Sequence, residues 1–131
     1  MKLLATVLIM LLLLAIKPAE AITIWSQNQE SIPTGSQYLP KANYSFQINW
    51  VADGTHIVSN VLFESDFNGT LTNYTNLNND TNGNYWINFT DLSGGNYIYR
   101  WHAADNESNW NSTDQFSYII NSNNSITIKL Y

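Results

Sequence analysis

At 131 residues the chain is long enough for one domain, and its lack of cysteine excludes a disulfide, a thiol nucleophile, a thiolate metal site and a lipid-modified N-terminal cysteine. Five basic against ten acidic residues give a net charge of −5, a balance that repels phosphate backbones and argues against nucleic acid as a partner. The sequence also lacks the basic amphipathic stretch of a helix that lies on a membrane surface.

Lys2 opens the chain, a 14-residue apolar run fills residues 3–16, and Lys17-Pro18 leads into Ala19-Glu20-Ala21. This is the layout of a secretory signal peptide, residues 1–21, cleaved after Ala21. The run falls short of the roughly 20 residues a membrane span needs, so a membrane is expected only if the segment stays uncleaved. Residues 22–42 read as an N-terminal edge strand at 22–26 and a polar loop holding Pro33, Gly35 and Pro40. Period-two alternation then dominates. Tyr44, Phe46, Ile48 and Trp50 alternate with polar neighbours, Asp53-Gly54 makes a turn, and Ile57, Ser59, Val61 and Phe63 form the next inward set. Residues 65–83 read as loops around one weak strand at 70–76. Tyr85, Ile87 and Phe89 face inward while Trp86, Asn88 and Thr90 face out. Asp91-Leu92-Ser93-Gly94-Gly95 carries the chain between sheets. Tyr97, Tyr99, Trp101 and Ala103 follow on an inward face, residues 105–111 form a hairpin loop, and Phe116, Tyr118 and Ile120 close the set.

No segment before residue 121 keeps a helical period. About seven short antiparallel strands over residues 43–120 predict an all-β sandwich or barrel, and the 110 residues after the leader suit an immunoglobulin-like β-sandwich, which needs about 100. Residues 121–131 read as a linker and a terminal strand, with Ile126, Ile128 and Leu130 alternating.

Several pieces resemble, in order, the immunoglobulin-like (fibronectin-like) repeats of archaeal cell-surface proteins. They are Tyr44-Ser45-Phe46 with Trp50, Ile57 with Val61 and Phe63-Glu64, Phe67-Asn68-Gly69-Thr70, and Asn88-Phe89-Thr90-Asp91-Leu92. Gly95-Asn96-Tyr97-Ile98-Tyr99-Arg100-Trp101, Ala104-Asp105 and Asn109-Trp110-Asn111-Ser112-Thr113 continue the series. The resemblance implies a secreted or cell-surface location, N-glycosylation, a surface-layer, structural or adhesive role, and no catalytic residue. Such repeats usually stand in tandem, and this chain shows one. The spacing from Leu92 to Tyr97 also looks like a tyrosine corner, in which a tyrosine hydroxyl bonds back to the turn before its strand.

Asparagine is the compositional oddity. Eight Asn-x-Ser/Thr acceptors occur, at Asn43, Asn68, Asn73, Asn79, Asn88, Asn106, Asn111 and Asn123. Chance placement over these residues predicts roughly half as many, and the motif requires an exported surface site. Seven are expected in loops and Asn88 on an outward strand face. Base-composition drift toward asparagine would bring lysine with it, and lysine is scarce. Bulky glycans would supply the missing solubility and shield strand edges that lysine otherwise guards.

Carbohydrate binding is the alternative function. Trp86, Trp110 and Tyr74 are the aromatics expected outside the core, available for stacking on sugar rings, although single exposed aromatics are common. Asp53, Asp66, Asp80, Asp91, Asp105 and Asp114 sit at turns, but no spacing resembles a calcium loop, so no metal is assigned. Glu64 and Asp66 would share a face if their strand continued, and His56 and His102 lack ligand spacing. No nucleophile–base pair, phosphate loop or cofactor motif stands out, so the chain is expected to be non-enzymatic and without cofactor. Other surface proteins or glycans are the expected partners, with self-association through edge strands as one route.

Overall fold

The computed structural model describes residues 28–52 and 56–123, together with the backbone of residues 23–24. The expected leader at 1–21, the Asp53-Gly54 turn and the terminal strand at 126–130 lie outside the described residues. Eleven strands are seen there: β1 (Thr23–Ile24), β2 (Gln29–Glu30), β3 (Ser36–Gln37), β4 (Asn43–Val51), β5 (Val58–Ser65), β6 (Thr72–Tyr74), β7 (Asn78–Asn79), β8 (Asn84–Thr90), β9 (Gly95–Asp105), β10 (Trp110–Ser112) and β11 (Phe116–Asn121).

The alternation read from the sequence sets the two layers. One sheet runs β1-β4-β8-β7, with β2 also on β4; the other runs β3-β11-β9-β5-β6, with β10 also on β9. Pairing is antiparallel except between β3 and β11. The chain crosses from β4 to β5, back to β7 and β8, and again to β9. That sequence of crossings makes an all-β immunoglobulin-like sandwich, with β4 and β8 facing β5, β9 and β11.

The core lies between those faces. Tyr44, Phe46, Ile48 and Trp50 of β4 are each 1% exposed, and Phe63, Tyr99, Trp101, Ala103 and Tyr118 opposite them are no more so. Phe46 stands 5.0 Å from the rings of both Tyr99 and Tyr118, and Phe63 lies 4.7 Å from Trp101. Each such ring contributes roughly 1.5–3 kcal/mol of burial, which is how the sandwich stands without a disulfide.

The polar atoms of Tyr99, Trp101 and Tyr118 inside this core find partners in the segment expected to be a lead-in loop. Asn28 donates to the Tyr99 hydroxyl and accepts from Trp101 Nε1 at 3.1 Å. The Tyr99 hydroxyl donates to Glu30 at 2.6 Å, and the Tyr118 hydroxyl donates to the Ile32 carbonyl at 2.7 Å. Burial, reinforced by Glu30, pushes the Tyr99 hydroxyl far up from its ordinary pKa, so it stays a donor. Residues 28–37 therefore belong to the sandwich: β2 joins one sheet and β3 the other.

Two hairpins use one locking device. At residues 80–84 and again at 105–109, an aspartate accepts from two backbone N–H groups and from the side chain of the asparagine four positions on. The residue before that asparagine has positive φ, 79° at Gly83 and 67° at Ser108. The expected tyrosine corner is present too: the Tyr97 hydroxyl donates to the Ser93 carbonyl at 2.9 Å.

Three expectations need correction. A bulge between Val58 and Asn60 resets β5, so Ile57 is 65% exposed and Ser59 is also exposed, while Val58, Val61, Phe63 and Ser65 turn inward. An extra residue in one strand shifts every side chain before it to the other face. The hairpin loop after β9 ends at Asn109, because Trp110, Asn111 and Ser112 pair with β9 as β10. Within the polar stretch before residue 84, Asn78 and Asn79 pair with β8 as β7.

Candidate functional site

Outward residues of neighbouring strands gather on the open face of the larger sheet. Register brings Asn73 of β6 opposite Glu64 of β5, and Glu64 opposite Arg100 of β9. One step along, Leu62 faces His102, and His102 faces Ser112 of β10. Trp110 then stands opposite Ala104, a residue too small to cover it, and is 53% exposed. Leu62, Glu64, Asn73, His102, Trp110 and Ser112 line one shallow depression of about 260 Å³.

Charge is concentrated in this patch. Arg100 Nε donates to Glu64 Oε1 at 2.5 Å, while His102 Nε2 lies 3.7 Å from Glu64 Oε2. His102 Nδ1 is 2.7 Å from the Ser112 hydroxyl. Burial pushes the His102 pKa down; Glu64 draws it partly back and Arg100 adds to the depression, leaving a net lowering. At neutral pH the face presents a neutral imidazole, an ion pair and a bare indole. Such a face suits stacking and hydrogen bonding to a polar ring.

The other aromatics named for sugar stacking lie elsewhere. Trp86 is half-buried on the outer face of the smaller sheet, paired with Gln47 and Asn78, so it shares no site with Trp110. Tyr74 is a correction. It turns inward opposite Phe63, with its ring 5.3 Å from Phe89, and packs on the core. The reason is period two: Asn73 takes the outward position, so Tyr74 takes the inward one.

Seven acceptor asparagines, Asn43, Asn68, Asn73, Asn79, Asn88, Asn106 and Asn123, are exposed, and Asn111 is half-buried opposite Ala103. Only Asn68, Asn106 and Asn123 lie outside strands. Asn43 opens β4, Asn73 lies in β6 within the weak strand expected at 70–76, and Asn79 and Asn111 belong to the short strands β7 and β10, where loops were expected. Asn106 spends its oxygen on the Ile57 N–H, whereas Asn68 and Asn123 use Nδ2 as donor to Thr72 and to the Tyr38 carbonyl.

Other chemical candidates disperse. Asp66 accepts from the Ile98 N–H at 2.8 Å and forms no carboxylate pair with Glu64, because β5 ends at Ser65. His56 lies 3.4 Å from Glu107, far along the sheet from the Glu64 cluster. Among the described residues no group of three acidic or histidine side chains converges on a metal-sized site. Asp80, Asp91 and Asp105 already hold N–H or hydroxyl donors. Sequence reading missed the Glu64–Arg100–His102–Trp110 grouping. Its one signal was the outward alternation of Arg100 and His102 in β9.

No family model matches the chain, and no curated protein matches it. Among solved structures, fibronectin(III)-like modules of Clostridium thermocellum CbhA are similar to it at 13% identity, with a TM-score of 0.49, over 73% of this chain and 98% of that one.

Proposed function

We propose that the chain is a non-enzymatic, N-glycosylated domain of a secreted or cell-surface protein, with a structural or adhesive role of the archaeal surface-layer kind. One observation carries the reading. The short edge strands β6, β7 and β10 each bear one acceptor asparagine, while Lys41 is the one lysine among the described residues. Unpaired edges invite aggregation, and proteins blunt them with charge or bulk. Here bulk is supplied by sugar. In the transfer, a bond forms between Asn Nδ2 and the anomeric carbon of a lipid-linked oligosaccharide. The bond to the carrier phosphate breaks and Nδ2 gives up a proton.

Site mapping by mass spectrometry on protein exported through a glycosylating pathway tests this. The reading expects sugar on one or more of the edge-strand acceptors Asn73, Asn79 and Asn111, and greater aggregation when the same chain is made without glycans. A native protein carrying no sugar refutes it.

Carbohydrate binding is the second reading, supported by Trp110 beside Glu64 and His102. Titration of the unglycosylated chain against an array of oligosaccharides, with Trp110→Ala as control, decides it. Binding that survives the substitution, or no binding at all, removes it.

A further inference from the structure

Resting on the glycosylation reading, we infer that the depression at Trp110 is a cradle for the chain's own glycan on Asn73. Three observations converge. Asn73 is an acceptor, it is exposed, and it lines the same depression as Trp110. The outward face between them is formed by Leu62, Glu64, His102 and Ser112.

The dimensions fit. Asn73 and Trp110 are separated by three inter-strand steps and about four residues of rise. At roughly 4.8 Å per step and 3.3 Å per residue, the Cα atoms are about 19 Å apart along the diagonal. Both side chains line the depression within that span, so the first rings of an N-linked glycan bridge what separates them. The chemistry fits as well. An indole face takes the C–H face of a pyranose as it takes other flat, weakly polar surfaces. Glu64 Oε2 accepts from ring hydroxyls, and the Ser112 hydroxyl and His102 ring nitrogens exchange hydrogen bonds with them. Ala104 opposite Trp110 keeps the indole uncovered, and no other acceptor asparagine lines the depression. Asn79 lines a different depression, one without a tryptophan, whereas Asn73 shares its depression with an exposed indole and holds its sugar against the sheet. Edge strand β6 would then be guarded by a glycan held in place.

The experiment compares the full chain with Thr75→Ala, both exported from one N-glycosylating host. The substitution removes the Asn73 acceptor while leaving Asn73 and the core intact, and equal melting temperatures confirm the fold. Glycopeptide mapping reports occupancy. Oxidation by N-bromosuccinimide, read tryptophan by tryptophan, reports cover, with buried Trp50 and Trp101 as blanks and Trp86 as the exposure control. The expected result is Asn73 occupied and Trp110 oxidised roughly fivefold more slowly than in Thr75→Ala, the factor that about 1 kcal/mol of stacking produces, with Trp86 unchanged. Asn73 occupied and Trp110 equally reactive in both forms overturns the cradle and leaves glycosylation standing. Asn73 bare with other sites occupied likewise overturns the cradle alone. No site occupied overturns both.

Discussion

Replacing Gly83 by alanine tests the closeness with which the β7–β8 hairpin is laid on β4. Gly83 has φ of 79°, and a Cβ built there would lie 2.5 Å from the Trp50 carbonyl oxygen. Its own carbonyl accepts from the Trp50 N–H at 2.9 Å. An L-residue in this left-handed region costs roughly 1–2 kcal/mol. Relief of the clash moves the turn away from β4, stretching that hydrogen bond and leaving a backbone N–H under-satisfied at about 1–3 kcal/mol. The sum, about 2–5 kcal/mol, is a large part of the 5–15 kcal/mol typical of a domain. Gly69→Ala is the control. Its φ is 84°, and nothing lies within 4 Å of the added carbon, so it carries the left-handed penalty alone. Urea unfolding of both variants and the parent, unglycosylated and without residues 1–21, should place Gly83→Ala about 1–3 kcal/mol below Gly69→Ala, with unchanged slopes. Equal losses in the two variants refute the close approach.

The same hairpin logic predicts the reverse effect at Ser108, which holds φ of 67° in the second turn; Ser108→Gly should stabilise by up to about 1 kcal/mol in the same urea assay. Tyr97→Phe removes the hydroxyl bonded to the Ser93 carbonyl and should cost about 1 kcal/mol with the fold retained, as read by melting and near-ultraviolet dichroism. Acid should weaken the domain in two stages. His102 is held below its ordinary pKa, first by burial, so stability begins to fall as pH drops below about 6.5. Burial raises the Asp105 pKa, but bonds from Asn109 and Glu107 outweigh it and hold the carboxyl low. Asn84 does the same for Asp80, and Tyr38 with Lys41 for Asp91. Depressed carboxyls contribute stability in full above the ordinary value near 4, and it is lost as pH falls through their folded values. Urea midpoints across pH 7 to 2 should show both limbs, and Asp105→Asn should flatten the lower one.

The interior was legible because alternation is a direct image of a pleated strand. In β4 and β9 every inward residue read from the sequence is buried or half-buried, and the spacing from Leu92 to Tyr97 matches the corner hydrogen bond that forms. Where the pattern misled, one inserted residue was enough. Ser59 sits in the bulge, its hydroxyl donating to the carbonyls of Ala104 and Asp105, and this throws Ile57 to the solvent side. Among the strands of two or three residues, β1 and β6 lie within the stretches read as strands at 22–26 and 70–76, but the others were illegible for a different reason. β2, β3, β7 and β10 have no periodicity to read and exist because a longer neighbour offers them hydrogen bonds. Asn28 and Glu30 hid in the same way, since polar residues near a terminus read as surface until buried hydroxyl and indole groups are seen to need them.

Asparagine shows why composition alone under-determined the site. It serves at least three physical ends here. Asn84 and Asn109 lock turns by bonding the aspartate four residues back, and Asn28 satisfies buried donors and acceptors. A third group stands exposed in acceptor motifs. The first two uses need no sugar, so the excess of asparagine cannot by itself argue for glycosylation. What separates the third group is position. Asn73 and Asn79 lie on edge strands with their side chains exposed and neither locks a turn, and in Asn73 the outward direction is fixed by the inward burial of Tyr74. The residue that disappointed as a sugar platform is thus what aims its neighbour across Glu64 and His102 toward Trp110. That direction follows from the register of β6 on β5, which no linear reading of residues 65–83 supplies.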